Sequence, residues 1–387
     1  MVTFFYLAKI ALLNYLVLNR ISNLYAMKKA ILFLFVLLSI QSQAQKTENI
    51  IIITTDGFRW QEVFKGIDPA IANDKKFNQG DSAYIYKKYS NADIKEARKK
   101  LMPFFWSEIV SKGQIYGNRD LGNKVDVANP YWFSYPGYSE IMTGNVDLKV
   151  NSNGYKANPN VNVLEFLNQQ SKLKGKVAAF GAWDAFDRIL NEERSGFPVI
   201  SAFDKVGGNK PTAAQHLLNE MRDNSYKPFH MDECLDVFTH YQALDELKNK
   251  KPKVLYIAYG ETDEWAHHAQ YRSYLDAANQ VDKWIQEIWN FVQNDPQYKN
   301  KTTLFITVDH GRGDKVKAQW TDHGSDVPGA SEIWFAAMGP EIAPKGEIKT
   351  NSQLYQKQFA QTIAKIMGYN FKTDHPVETE IKEIFEK

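Results

Sequence analysis

Ile50-Ile51-Ile52-Ile53-Thr54-Thr55-Asp56-Gly57 decides the fold. Six consecutive β-branched residues with no polar alternation leave no solvent-facing side, so the segment is expected to be a strand buried on both faces, as in a parallel sheet. Asp56-Gly57 ends it in a turn. Lys176–Gly181, Val254–Tyr259 and Thr303–Val308 have the same character, and Ile333–Met338 is a fifth candidate strand. Between them lie stretches with helical spacing. Leu275, Ala278, Val281, Ile285, Ile288 and Val292 step by three or four residues, and Ser352–Met367 reads similarly. Ile94–Val110 is also helical, with Pro103 opening a second helix. Strands alternating with helices imply an α/β fold, a doubly wound, mostly parallel sheet with helices on both faces. Ligands of such sheets sit beyond the carboxyl ends of the strands. Residues 65–91 and 191–231 fit the alternation poorly and are expected to be excursions over the active face.

Composition bounds the reading from outside. The chain has 387 residues, 44% of them hydrophobic and 24% charged, with one cysteine, Cys234. That excludes disorder and a disulfide-stapled scaffold, and leaves stability to a buried core. From Met27 the sequence is MKKAILFLFVLLSIQSQAQK: a basic start, an apolar run and a small-x-small site at Ser42–Ala44. This is the pattern of a secretory signal, too short in its apolar part to span a membrane. Residues 1–44 are therefore expected to be a signal region with Met27 the true start. Residues 45–387 would be a single exported domain, periplasmic or secreted. Without Lys9, Arg20, Lys28 and Lys29 the remainder holds 43 basic and 45 acidic residues. So even a balance gives no reason to expect nucleic acid as a partner.

Three strand ends carry metal-ligand types. Asp56 follows the first, Gly260-Glu261-Thr262-Asp263 with His267 follows Tyr259, and Asp309-His310-Gly311 follows Val308. A late Asp322-His323-Gly324 supplies a fourth. Carboxylates and imidazoles from separate strand ends suit borderline divalent ions, and Asp263 and His267 at i, i+4 share a helix face. Singly, each has a bland alternative as a cap or hydrogen-bonder; their joint order is the signal. The nucleophile candidate is Ser134, in Phe133-Ser134-Tyr135-Pro136-Gly137-Tyr138, ahead of a helical run. A hydroxyl at a helix N-terminus is well placed to meet an anionic ester. The competing reading is that Ser134 merely caps the helix.

This order of motifs resembles the alkaline phosphatase superfamily, nearest its nucleotide pyrophosphatase/phosphodiesterase-like branch, over about Ile50–Met367. The resemblance implies an alkaline phosphatase-like three-layer sandwich and two divalent ions, expected to be zinc. Asp56, Asp309 and His310 would hold one ion with Ser134 beside it; Asp263, His267 and His323 would hold the other. It further implies an exported phosphoester hydrolase acting on a small phosphoester through a phosphoserine intermediate. A sulfatase, a phosphotransferase or a non-catalytic, metal-retaining periplasmic binding protein are the alternatives. Departures are Ser134 where that branch usually has Thr, and Gly137 where it has Asn. Asn151 and Asn153 both stand near the branch's phosphoryl-contacting Asn, with Arg312 a further phosphoryl-contact candidate. The sulfatase signature Cys/Ser-x-Pro-x-Arg fails at Tyr138. His268 could replace His267 by a one-residue shift, and Asp322 could orient His323. His216, His230, His240 and His375 lack ligand spacing. Trp60, Trp132 and Trp183 are the best candidates for stacking on a substrate, and Cys234 is expected to be a buried spectator.

Overall fold

A computed structural model describes residues Lys46–Glu386 and, before them, only Tyr15, Asn19, Arg20 and Lys28. The signal-peptide reading of residues 1–44 therefore lies outside the described residues but for these four. Residues from Lys46 onward form one compact unit. Among the described residues no helix is long and apolar enough to cross a membrane.

The isoleucine run becomes β1 (Asn49–Thr55), every residue of it buried. The other strands are β2 (Gly113–Tyr116), β3 (Asn123–Asp126), β4 (Val177–Gly181), β5 (Val199–Ser201), β6 (Val254–Tyr259), β7 (Thr302–Thr307), β8 (Glu332–Ile333), β9 (Phe335–Met338), β10 (Gly346–Glu347) and β11 (Ser352–Tyr355). Eight of them form the main sheet in the order β10-β2-β9-β7-β1-β6-β4-β5, and β11-β3-β8 form a small one. β1 lies at the centre, parallel to β6 with Ile50 opposite Val254 and to β7 with Ile50 opposite Thr303. β6 and β7 are also buried throughout, which requires cover on both faces. The mostly parallel α/β sheet expected from the sequence is the one found.

Among the helices are α1 (Ser134–Thr143), α2 (Glu261–His267), α3 (Tyr271–Asn294) and α4 (Phe359–Ile366). α3 buries the predicted stripe, from Leu275 to Val292. Pro103 does divide its segment: Ile94–Leu101 is α-helical, and after the break a π-helical turn runs Phe105–Ile109.

Two expectations need correction, and the two expected excursions prove to carry secondary structure of their own. Ile333–Met338 is not one parallel strand. The chain changes sheets at the buried Trp334, so that Ile333 pairs with Val125 in the small sheet while Phe335 pairs antiparallel with Thr307. Ser352–Met367 is helical only in its second half. In Ser352–Tyr355 Leu354 alone is buried, a strand-like pattern, and that part pairs with β3. Residues 65–91, expected as an excursion, are largely helical. They form short helices at Pro69–Ala72, Lys75–Asn78 and Ser82–Tyr89, the first two capped by Asp68 and Asp74, and they bear on α3 through Tyr89 to Asp276 and on Trp320 through Phe77. Residues 191–231 contain β5, too short to announce itself, and a helix at Ala213–Asp223 opened by a Thr212–Gln215 capping box.

Candidate metal centre and nucleophile

Three adjacent strand ends meet beyond the sheet. Asp56 follows β1 directly, Asp309 follows β7 after Val308, and Gly260 leads from β6 into α2, which carries Asp263 and His267. The Asp-Gly pair after β1 has a steric reason. Gly57 has φ +57°, and a Cβ there would lie 2.4 Å from Asp263 Oδ1 and 3.2 Å from His310 Cε1. Its bare N–H donates to Asp309 Oδ1 at 3.1 Å. Only glycine lets the three strand ends close to this distance.

Around this turn the donor atoms form two groups sharing His310. In the first, His310 Nε2 is 3.3 Å from Asp56 Oδ1 and 3.3 Å from Asp309 Oδ2. In the second, His267 Nε2 is 2.9 Å from Asp263 Oδ2 and 3.0 Å from His323 Nε2, and His323 Nε2 is 3.8 Å from Asp263 Oδ1. His310 Nε2 reaches the second group too, 3.9 Å from Asp263 Oδ1, and its ring lies 4.0 Å from that of His323. All six predicted carboxylates and imidazoles thus converge. Burial is graded, from Asp309 and His310, wholly enclosed, to the exposed His267, so the cluster opens to solvent at its second group.

Ser134 is the first residue of α1, and the extended residue before it, Phe133, makes no side-chain cap. The hydroxyl is not spent on capping; Oγ lies 3.3 Å from His310 Nε2. α1 is buried along its whole length. Gly137, on its first turn, explains how it can lie so near: a Cβ there would be 2.5 Å from the carbonyl oxygen of Asp309.

The charges are arranged for a cation. Burial and the neighbouring Asp263 raise the Asp56 pKa, against the pull of His310 and Tyr138. Asp309 is raised further by burial and by Asp56. Burial alone would lower the His310 pKa, but Asp309, Asp56 and Asp263 outweigh it and lift it to about 9. His323, half-buried beside the His310 charge, is pushed well down by desolvation and by that neighbour and so keeps a free nitrogen lone pair. Asp56 Oδ1 and Asp309 Oδ2 are buried without a hydrogen-bond donor. Buried carboxylate oxygens without partners are costly unless a cation neutralises them. With two carboxylate–imidazole groups of suitable donors beside them, these residues fit divalent metal ions.

Several residues escaped the sequence reading. Tyr138, one turn beyond Ser134, donates its hydroxyl to Asp56 Oδ2 at 2.9 Å; the i, i+4 spacing to Ser134 could have shown it. Arg312 is not at a phosphoryl position. It is wholly buried, its Nη1 on Asp263 Oδ1, its Nε on the Trp320 carbonyl at 2.8 Å and its Nη2 against His267 Nδ1 at 3.3 Å. Although burial would raise the Asp263 pKa, Arg312 with His267 and His323 holds that carboxyl well below its usual range. Of the two asparagines, Asn153 reaches the nucleophile's helix, accepting from the Tyr135 N–H at 3.0 Å. His268 turns away, its Nδ1 on the Glu264 carbonyl at 2.8 Å. Asp322 does not orient His323; it accepts from Thr321 Oγ1 at 2.9 Å. Glu233 had drawn no notice, and its Oε1 is buried without a partner beside Gly260.

Four of the remaining candidates have structural surroundings. His240 is stacked on Trp284 and paired to the Tyr259 hydroxyl at 2.9 Å, and His375 Nε2 meets the Val161 carbonyl at 2.8 Å. Trp60 is buried with its indole N–H on Glu332 at 2.7 Å. Cys234 is buried.

Comparison with known proteins places this geometry. Residues 233–370, which hold five of the six donor residues, match the metalloenzyme superfamily. The alkaline phosphatase PafA superposes with a TM-score of 0.58 at 10% identity, covering 88% of this chain and 99% of its own. The chain has an alkaline phosphatase-like fold. That fold also belongs to a putative sulfatase from Bacteroides thetaiotaomicron, with a TM-score of 0.54 at 14% identity, over 88% of this chain and 75% of that one. The lipoteichoic acid synthase LtaP from Listeria monocytogenes scores 0.53 at 12% identity, over 88% and 76%. No curated protein matches the sequence.

Proposed function

We propose that the chain is an exported, two-metal-dependent phosphoester hydrolase with Ser134 as its nucleophile. The observation that carries this reading is the position of Ser134. Its hydroxyl stands uncapped at the start of a buried helix, 3.3 Å from the imidazole shared by both donor groups.

Asp56, Asp309 and His310 would hold one ion and Asp263, His267 and His323 the other, with zinc the fitting choice for this mix of imidazole and carboxylate. Such ions supply positive charge for the phosphoryl oxygens and lower the pKa of coordinated hydroxyl groups. The chain's own residues do the rest. The first turn of α1 points its free N–H groups and its positive dipole end toward the anionic ester. Ser134 Oγ attacks phosphorus in line, the ester oxygen leaves, and water then cleaves the phosphoserine and restores the serine. Arg312 fixes the Asp263 carboxylate and Tyr138 that of Asp56, so the donors are oriented before substrate arrives. Asn153, held at the Tyr135 N–H, is the candidate for a phosphoryl oxygen contact, and its position supports the type I phosphodiesterase-like branch.

The sulfatase neighbour keeps one alternative in play. Against it stands Tyr138, which occupies the place of the sulfatase signature's arginine and is engaged with Asp56. The test is a matched panel of p-nitrophenyl phosphate, a p-nitrophenyl phosphodiester and p-nitrophenyl sulfate on the zinc-loaded protein. Phosphate esters should turn over faster than the sulfate, and Ser134→Ala should lose at least about a thousandfold in kcat, as loss of a nucleophile does, with its metal content intact. Preferential sulfate hydrolysis would refute the phosphoester reading, and a fully active Ser134→Ala enzyme would refute the nucleophile.

A further inference from the structure

The near-even charge of residues 45–387 hides a strong segregation. β7, β1, β6 and β4 are neighbours running in parallel, so their amino ends share the sheet edge opposite the metal centre. The turn before β4 reads Ser171-Lys172-Leu173-Lys174-Gly175-Lys176, that before β6 Lys250-Lys251-Pro252-Lys253, and that before β7 Lys299-Asn300-Lys301, while Lys46 precedes β1. Nine lysines and no arginine thus meet on one edge.

Main-chain hydrogen bonds weld these turns into a continuous surface. The Lys253 N–H donates to the Lys176 carbonyl at 2.8 Å, that of Ile50 to the Lys253 carbonyl at 2.8 Å, and that of Asn49 to the Lys301 carbonyl at 3.0 Å. Three of the lysines have carboxylate partners: Lys250 with Glu246, Lys251 with Asp295 and Lys301 with Glu48. Among the described residues, Lys46, Lys172, Lys174, Lys176, Lys253 and Lys299 have none within 4 Å. A recess of about 600 Å³ sinks into this edge, lined by Lys46, Lys172 and Lys253 together with Thr47, Ser171 and one carboxylate, Glu48. Four parallel strands about 4.8 Å apart make the edge some 15 Å wide. That is broad enough for several headgroups at once.

We infer that this lysine edge docks the protein on an anionic membrane surface, with lipid phosphate groups as its ligands. Two features favour a lipid surface over another polyanion. Lysine ammonium groups without arginine forks suit a diffuse sheet of phosphates better than a patterned polymer. Docking there also leaves the metal centre, at the far ends of the same strands, open to solvent.

The test is sedimentation of the exported form, residues 45–387, with vesicles of phosphatidylcholine mixed with phosphatidylglycerol, against pure phosphatidylcholine. The parent should prefer the mixed vesicles and lose that preference at about 1 M salt, where the Debye length falls to about 3 Å. The triple variant Lys172→Glu, Lys174→Glu, Lys299→Glu should bind mixed vesicles more than a hundredfold more weakly, since each lysine lost already costs about fivefold, while its ester hydrolysis is unchanged. Should the triple reversal not fold, glutamine at the same positions should give the same direction with a smaller loss. Equal binding of parent and variant, or of the parent to both vesicle types, would overturn the inference. So would a soluble sulfated polysaccharide that binds this edge more tightly than the mixed vesicles do.

Discussion

Arg312 shows what a single side chain contributes to this centre. Its guanidinium is a permanent, buried cation set against Asp263 and His267, and it keeps Asp263 ionised and aimed without metal. Removing one member of a buried pair leaves the other charge uncompensated, which costs about 3–5 kcal/mol. Arg312→Met should therefore lower the melting temperature of the metal-free protein markedly. Zinc should narrow the gap to the parent, because an ion held by Asp263 restores the missing positive charge. A gap that zinc leaves unchanged would show that Asp263 is not a ligand. The Asp-His pair was legible in sequence because its residue types are themselves the signal. Arg312 was misread because an arginine beside ligands is equally at home facing substrate or locking a carboxylate, and only its burial separates the two.

At the scale of elements, the nucleophile's placement depends on one missing methyl group. α1 can approach β7's end only because Gly137 presents no Cβ to the Asp309 carbonyl, 2.5 Å from where that atom would stand. Gly137→Ala must push α1 and Asp309 apart, and with them Ser134 and the first donor group. A misplacement of about 1 Å can cost on the order of a hundredfold in rate. The variant should therefore fold and bind metal yet lose one to two orders of magnitude in kcat, with substrate affinity less affected. Unaltered kcat would mean that the close packing of this helix does not set the geometry of attack. The elements themselves were legible in proportion to their burial. Strands hidden on both faces, such as β1 and β6, announce themselves by unbroken apolar runs. β5 has three residues, and β11 buries only Leu354, so neither carries enough periodicity to be seen. The change of sheets at Trp334 leaves no local trace, because tertiary packing decides it, while the helices of residues 65–91 leave only the caps Asp68-Pro69 and Asp74, ahead of stretches too short for periodicity.

For the whole molecule, metal and proton compete for the place where three strand ends converge. In the metal-free fold the carboxylates around His310 lift its pKa to about 9 from a usual value near 6.5. A raised pKa means that the protonated imidazole stabilises the fold fully below pH 6.5, and that this contribution fades as pH rises through about 9. The metal-free protein should therefore lose stability over that window. A metal ion needs the neutral imidazole, so its binding must expel a proton there and strengthens as pH rises. Zinc at about a thousand times its dissociation constant adds about 4 kcal/mol. For a domain of this size that is a rise of roughly 5–10 °C in melting temperature, and chelation should reverse it. The interval between zinc-loaded and chelated samples should widen steadily from pH 6.5 to 9. Calorimetric titration in buffers of differing ionisation enthalpy should show at least one proton released per molecule. An interval independent of pH, with no proton released, would mean that His310 takes no part in holding the ion, and the two donor groups would lose the residue that joins them.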